Sequence, residues 1–79
     1  MPLQDLLDWI KADPFTPFRL KLTNGQTYDI YAPSMIWPGR QSVLIGFPNP
    51  LDPFVYDRHV TVGLLHITSI EPLGSPAAA

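Results

Sequence analysis

The feature that most restricts the fold of this chain is the pair Asn24-Gly25, which lies between two segments of alternating polarity. Before it, FRLKLT at residues 18–23 has an apolar side chain at every second position. After it, QTYDIYA at residues 26–32 alternates in a similar way. Asn and Gly both tolerate the positive φ angles that tight turns between antiparallel strands require. The sequence therefore predicts a β-hairpin over residues 18–32.

A short helix is predicted ahead of the hairpin, over residues 3–12. Asp13-Pro14 ends it, because the residue before a proline is pushed out of the α region. A helix of this length is not stable alone, so its apolar face must pack against the sheet. That face has the i, i+3, i+4, i+7 spacing of an amphipathic helix and consists of Leu3, Leu6, Leu7 and Ile10.

Three more strands are predicted after the hairpin. Five short antiparallel strands in so small a chain favour closure into a small barrel, so we expect one mostly β domain at residues 1–72 and a disordered tail at 73–79. Gly46 is expected at a bend or bulge, and a second bulge is expected near Asp57 to His59. The remaining segments are strands at 42–47, 54–62 and 66–71, a loop with one helical turn at 33–39, a rigid proline-rich loop at 48–53 and a short break at 63–65.

Composition excludes several classes of function. The chain has no cysteine, which rules out disulfides, thiolate zinc sites and cysteine nucleophiles, and its two histidines are too few for a histidine-only metal site. The formal net charge of −2 and the scattered Lys and Arg residues argue against binding to duplex DNA. No apolar run approaches the roughly 20 residues of a membrane span, and the N-terminus lacks a signal peptide's positive charge. We therefore expect a cytoplasmic protein with no cofactor and no membrane partner.

The first family resemblance is to a group of uncharacterised small bacterial proteins. These proteins have a short leucine-rich helix, then a Pro-Phe-x-Pro-Phe segment, then a hydrophobic strand that ends at Gly. Here the segment is Pro14-Phe15-Thr16-Pro17-Phe18, and the closing segment is LHITSIE at residues 65–71. That resemblance covers nearly the whole chain and implies no established activity.

The second resemblance is to the Sm-like family, which includes the bacterial Hfq-like RNA chaperones. The shared features are the Leu3-Gln4-Asp5 helix start, the Asn-Gly first hairpin and a one-turn break before the last strand. This resemblance implies an N-terminal helix with a five-stranded Sm-like, Src-homology-type barrel, assembly through strand edges, and a contact from Gln4 to uridine-rich RNA. The sequence departs from the family at its Lys-His pair, because the matching positions are leucines and His66 lies one place later.

Contact residues for a partner or for RNA are predicted at Gln4, Trp9, Tyr31, Trp37 and His66. The alternative is that the aromatic side chains fill a small core and that the histidines are ordinary surface groups. No catalytic residue is expected. Asp57 and His59 share one side of a strand, but no nucleophile or third orienting group accompanies them.

The function that this sequence favours is a non-catalytic, Sm-like interaction module that binds an unidentified protein. Because a core this small is marginally stable and has no disulfide, we also expect a homo-oligomer. The strands at 54–62 and 66–71 have no proline after Phe54, so their edges are the ones open to pairing between subunits. Two alternatives remain, which are an Hfq-like binder of single-stranded RNA with weak affinity and a small enzyme or enzyme subunit.

Overall fold

One helix and six strands form the part of the chain that this computed structural model describes, residues 1–73. Single 3-10 turns at Pro33–Met35 and Leu64–His66 precede the third and the last strand. The mostly β class with an N-terminal helix is confirmed. The elements are α1 (Leu3–Ile10), β1 (Phe18–Leu22), β2 (Thr27–Ile30), β3 (Ile36–Pro38), β4 (Ser42–Asn49), β5 (Asp52–Gly63) and β6 (Ile67–Pro72).

The strands form two three-stranded antiparallel sheets, with the orders β2-β1-β6 and β3-β4-β5. The expected five-stranded barrel is wrong in its strand count, because the predicted loop at 33–39 contains β3 as well as its helical turn. This strand was not predicted because Pro33 and Pro38 break the alternating pattern. Pro38 is tolerated within the strand because β3 lies at an edge of its sheet. The barrel is also not closed within residues 1–73. The 3-10 turn at Pro33–Met35 separates β2 from β3, so no continuous strand passes from one sheet to the other.

The first hairpin turns through three residues rather than two. The Gly25 amide donates to the Leu22 carbonyl at 3.0 Å, and the Leu22 amide donates to the Gln26 carbonyl at 2.9 Å. Of the Asn24-Gly25 pair, only Gly25 has a positive φ, at 90°. A type I turn followed by a left-handed glycine accounts for this geometry, and Asn24 instead accepts a hydrogen bond from the Gln26 amide through its side chain.

The core lies between the two sheets, and α1 covers it. Leu6 is fully buried, whereas the other three residues of the predicted helical stripe are half-buried. The helix ends at Ile10, two residues earlier than predicted, and the Lys11 amide closes it with a hydrogen bond to the Leu7 carbonyl. The largest fully buried side chains are Phe18, Leu6, Leu20, Ile30, Ile45 and Val43.

The second hairpin, between β4 and β5, extends further than predicted. The two strands continue into the segment 48–53 that was expected to be a loop, so that the turn is only Pro50 and Leu51. Opposed pairs shift from Phe47 with Arg58 to Pro48 with Tyr56, which leaves Asp57 unpaired and confirms the predicted bulge. β4 is the central strand of its sheet, as predicted.

The predicted disordered tail lies outside the described residues except for Leu73. The Leu73 amide donates to the Pro17 carbonyl at 2.9 Å, which continues the β1–β6 ladder by one pair.

Substitution of Gly25 by Val should lower the free energy of unfolding by about 1–2 kcal/mol. A Cβ at this position meets no atom within 4 Å, so the cost arises from the left-handed backbone alone. Urea denaturation should show the loss for Gly25→Val and a smaller one for Gly25→Asn, because Asn tolerates this conformation better. Equal midpoints for wild type and Gly25→Val would contradict this account of the turn.

Candidate functional site

A groove of about 750 Å³ lies between the outer edge of β2 and the β4–β5 hairpin. Its walls have aromatic side chains together with proline rings from the hairpin. Of the predicted contact residues, Tyr31 lines this groove and is 62% exposed. We call it the aromatic groove, and the side chains that matter below are Tyr28, Asp29, Tyr31, Phe47, Tyr56 and Arg58.

The edge of β2 that borders the aromatic groove has unpaired backbone groups. In an antiparallel ladder, opposed residues alternate between pairs that exchange hydrogen bonds and pairs that do not. Leu22 and Gln26 are a bonded pair, so Thr27 and Asp29 belong to the intervening, non-bonded pairs. Their N–H and C=O groups therefore point away from β1 and toward the groove. In residues 1–73, β2 has no second neighbouring strand to pair with them.

Arg58 presents a positive charge in the aromatic groove. It lies opposite Phe47 in the β4–β5 ladder, and its guanidinium carbon is 4.2 Å from the centre of that ring. Tyr28 supports the ring from the other sheet, with 5.9 Å between ring centres. Within residues 1–73 the Arg58 guanidinium forms no ion pair and no hydrogen bond. The stacked ring therefore fixes a cation whose donors are available to a ligand.

Asp29, also in the groove wall, is already neutralised by a neighbour on β1. Arg19 lies opposite it in the ladder, and Arg19 Nε donates to Asp29 Oδ1 at 2.7 Å. This hydrogen bond lowers the pKa of the Asp29 carboxyl below its ordinary value; burial opposes the shift, and the positive charge of Arg19 adds to it. The same pairing raises the pKa of Arg19. The carboxylate therefore does not offset the charge of Arg58.

Trp37 and Tyr56 pack beside the groove over the backbone of Gly46. Their ring centres are 5.8 Å apart, and the Tyr56 hydroxyl donates to the Ser34 carbonyl at 2.9 Å. A Cβ at Gly46 would lie 2.5 Å from Tyr56 Cδ2 and 3.2 Å from Trp37 Cζ3. Gly46 is thus required for a close approach of two rings, which differs from the predicted bend or bulge. Trp37 remains 48% exposed.

Trp9 and Gln4, both on α1, do not line this groove. Trp9 is half-buried and meets Phe18 edge to face, with 5.6 Å between ring centres. Its contact with Phe18 supports the alternative that it completes the core. Gln4 is exposed, and its amide donates to Asp8 at 2.9 Å along the helix. The contact role predicted for both residues stays a prediction.

His66 lies in the 3-10 turn before β6 and does not line the aromatic groove. It lines a separate groove of about 540 Å³ together with Arg40 and the exposed Leu65. Its carbonyl accepts a hydrogen bond from the Thr23 amide, which ties the turn to the first hairpin. The predicted contact residues therefore do not form one site.

Of the six groove residues named above, only Tyr31 was among the predicted contact residues. The two that lie opposite each other in the β4–β5 ladder, Phe47 and Arg58, were both missed. Whether Phe47 and Arg58 face each other depends on the register of the β4–β5 ladder at the Asp57 bulge, and the alternation of polarity along a strand does not determine that register. The sequence does contain one signal, which is that two consecutive strands contain an aromatic residue and an arginine. The Asp57 carboxylate accepts a hydrogen bond from the Asn49 side-chain amide at 3.1 Å, so Asp57 pairs with Asn49 rather than with His59.

Comparison with family profiles, curated proteins and solved structures finds no match to this chain. Within residues 1–73, no helix has both the length and the apolar character needed to cross a membrane. A cytoplasmic location stays a prediction.

The Arg19–Asp29 pair should make stability depend on pH in the acid range. Because folding lowers the pKa of Asp29, its contribution is complete above the ordinary Asp value of about 3.9 and is lost as the pH falls through the folded value. Thermal melts between neutral pH and pH ~2 should therefore show a smaller acid loss for Asp29→Asn than for wild type. Arg19→Gln should flatten the profile in the same way. Parallel profiles for all three proteins would show that the pair adds nothing measurable.

Proposed function

We propose that this protein is a non-catalytic, Sm-like interaction module that self-assembles through strand edges and binds a protein partner. The observation that supports this most strongly is that β5 and β6 each have a single neighbour in residues 1–73. β5 pairs with β4, and β6 pairs with β1. The outer edge of each strand is available to a second copy, and pairing β5 of one subunit with β6 of the next would satisfy both.

The outward backbone groups of β5 can be assigned to particular residues. The Leu64 amide donates to the Gln41 carbonyl, which identifies the bonded register of the β4–β5 ladder. In that register, Val60 exchanges hydrogen bonds with Ile45. His59 and Thr61 alternate with Val60, so their amides point away from β4, toward the proposed subunit contact.

Three features support the Sm-like character of the module. If β2 and β3 are counted as one strand interrupted by the 3-10 turn at Pro33–Met35, a helix and five strands follow one another. The first hairpin contains Asn24-Gly25, and a one-turn break at Leu64–His66 precedes the last strand. The Sm-like resemblance depends on these three features, and they favour assembly of subunits edge to edge.

Single-stranded RNA binding is the second candidate, and the exposed rings of Tyr31 and Trp37 favour it, because aromatic faces stack on bases. Charge opposes it. Two of the five Lys and Arg side chains, Arg19 and Lys21, already pair with carboxylates. The other three form no ion pair within residues 1–73 and are available to phosphates. The electrostatic part of RNA affinity grows with the number of phosphates neutralised, so this part is small.

RNA affinity should accordingly be weak. Fluorescence anisotropy with uridine-rich and adenine-rich oligomers at physiological salt should give dissociation constants weaker than about 1 μM. Tighter binding to either oligomer would favour the Hfq-like alternative over the protein-binding module.

Self-assembly should be lost when the outward edge of β5 is blocked. Thr61→Pro removes an outward amide and leaves the β4–β5 ladder intact, since proline is tolerated at strand edges. We expect wild type to sediment as an oligomer and Thr61→Pro to sediment as a folded monomer, with folding verified by circular dichroism.

Val60→Pro is the matched control, because its amide faces β4 and its substitution should unfold the hairpin rather than release subunits. His59→Pro should behave like Thr61→Pro. Wild-type protein that remains monomeric into the high micromolar range would refute edge assembly.

A further inference from the structure

We propose that the aromatic groove binds an extended peptide segment, which adds as a strand to the outer edge of β2 and places an acidic side chain on Arg58. This proposal gives a chemical class to the partner of the interaction module, and to that extent it depends on the proposed function. The site is separate from the edges of β5 and β6 that we assign to self-assembly.

The first argument is the backbone edge itself. Thr27 and Asp29 direct N–H and C=O groups into a groove of about 750 Å³, which has space for several residues of extended chain. A peptide strand satisfies such groups with its own backbone, whatever its side chains are. On the opposite wall, Pro48 and Pro53 have no N–H. The peptide would therefore pair with β2 and contact the hairpin through side chains.

The second argument is the chemistry of the groove around that edge. Tyr28 and Phe47 provide an apolar floor, and Arg58 lies stacked on Phe47 with its donors unused in residues 1–73. Arg19 neutralises Asp29, so among the charged groups Arg19, Asp29 and Arg58 the positive charge of Arg58 has no counterion. A carboxylate is the complementary group, and the guanidinium can bind it with two parallel hydrogen bonds.

The floor and the cation together define a short pattern in the ligand. Side chains two residues apart lie on the same face of a strand. An apolar residue would cover Tyr28 and Phe47, and a Glu two positions along would reach Arg58. A peptide segment fits this surface better than RNA does, because a strand edge pairs with a peptide backbone, whereas within residues 1–73 Arg58 is the one Lys or Arg among the groove residues and neutralises little phosphate.

The probe is the peptide acetyl-Thr-Val-Thr-Glu-Thr-amide, titrated into the full ¹⁵N-labelled chain. We expect saturable shifts of the Thr27 and Asp29 amide resonances, with dissociation in the millimolar range or tighter. Replacement of Glu by Gln in the peptide should weaken binding about tenfold, which is the size expected for one charge-assisted contact. Arg58→Gln should weaken binding of the Glu peptide to the same degree and leave the Gln peptide unchanged.

Arg40→Gln is the matched control, because Arg40 lines the separate His66 groove. N-methylation tests the strand pairing, since only alternate amides of an added strand face β2. Methyl groups on one set of alternate peptide amides should abolish binding, and methyl groups on the other set should be tolerated. Equal sensitivity of both sets, or equal affinity of the Glu and Gln peptides for wild type, would overturn the proposal.

Absence of any shift at Thr27 and Asp29 with millimolar peptide would also overturn it, as would competition by uridine-rich RNA at lower concentration than the peptide. The result can be separated from the self-assembly proposal by repeating the titration with Thr61→Pro. A monomeric wild type that binds the peptide would refute edge assembly and support peptide binding in the groove. A wild-type oligomer that does not bind the peptide would refute peptide binding in the groove and leave edge assembly standing.

Discussion

The rest of the structure depends on the pairing of backbone groups at strand edges. In residues 1–73 only β1 and β4 have strands on both sides, so β2, β3, β5 and β6 all present an edge. An unpaired edge is a template for a further strand, and proteins limit this with short strands, prolines and bulges. β3 has three residues and ends in Pro38, which protects it. β2, β5 and β6 retain open stretches, and the two proposed interactions use these three edges.

Much of the fold was predictable because alternation and helical periodicity are local signals. The Leu stripe located α1, and the alternation around Asn24-Gly25 located β1 and β2. The strand β3 was missed because Pro33 lies shortly before it and Pro38 is its last residue, and because its stability comes from pairing with β4 rather than from its own sequence. The open arrangement of the two sheets in residues 1–73, where a closed barrel was expected, was not predictable for a related reason. Closure depends on whether distant strands meet, and no local pattern specifies this.

The candidate site was less predictable than the fold. Of the predicted contact residues, Tyr31 is exposed in the aromatic groove, whereas Trp9 is half-buried beside Phe18, and the contact role of each stays a prediction. Arg58 was treated as one of several scattered cations. Its stacking on Phe47 depends on the register of the β4–β5 ladder, and a shift of one residue would place it on the other face. Register beyond a bulge requires the tertiary structure.

Because Tyr56 and Trp37 pack closely against Gly46, the size of the residue at position 46 is limited by the rings beside it. The space that a side chain at position 46 would need is filled by the ring of Tyr56, and the hydroxyl of that ring is fixed on the Ser34 carbonyl. Position 46 can therefore accept a larger residue only if position 56 accepts a smaller one. In homologous chains that keep this sheet, the two positions should covary, with a glycine accompanying the bulky ring. Such covariation would reveal this contact between β4 and β5 from sequences alone.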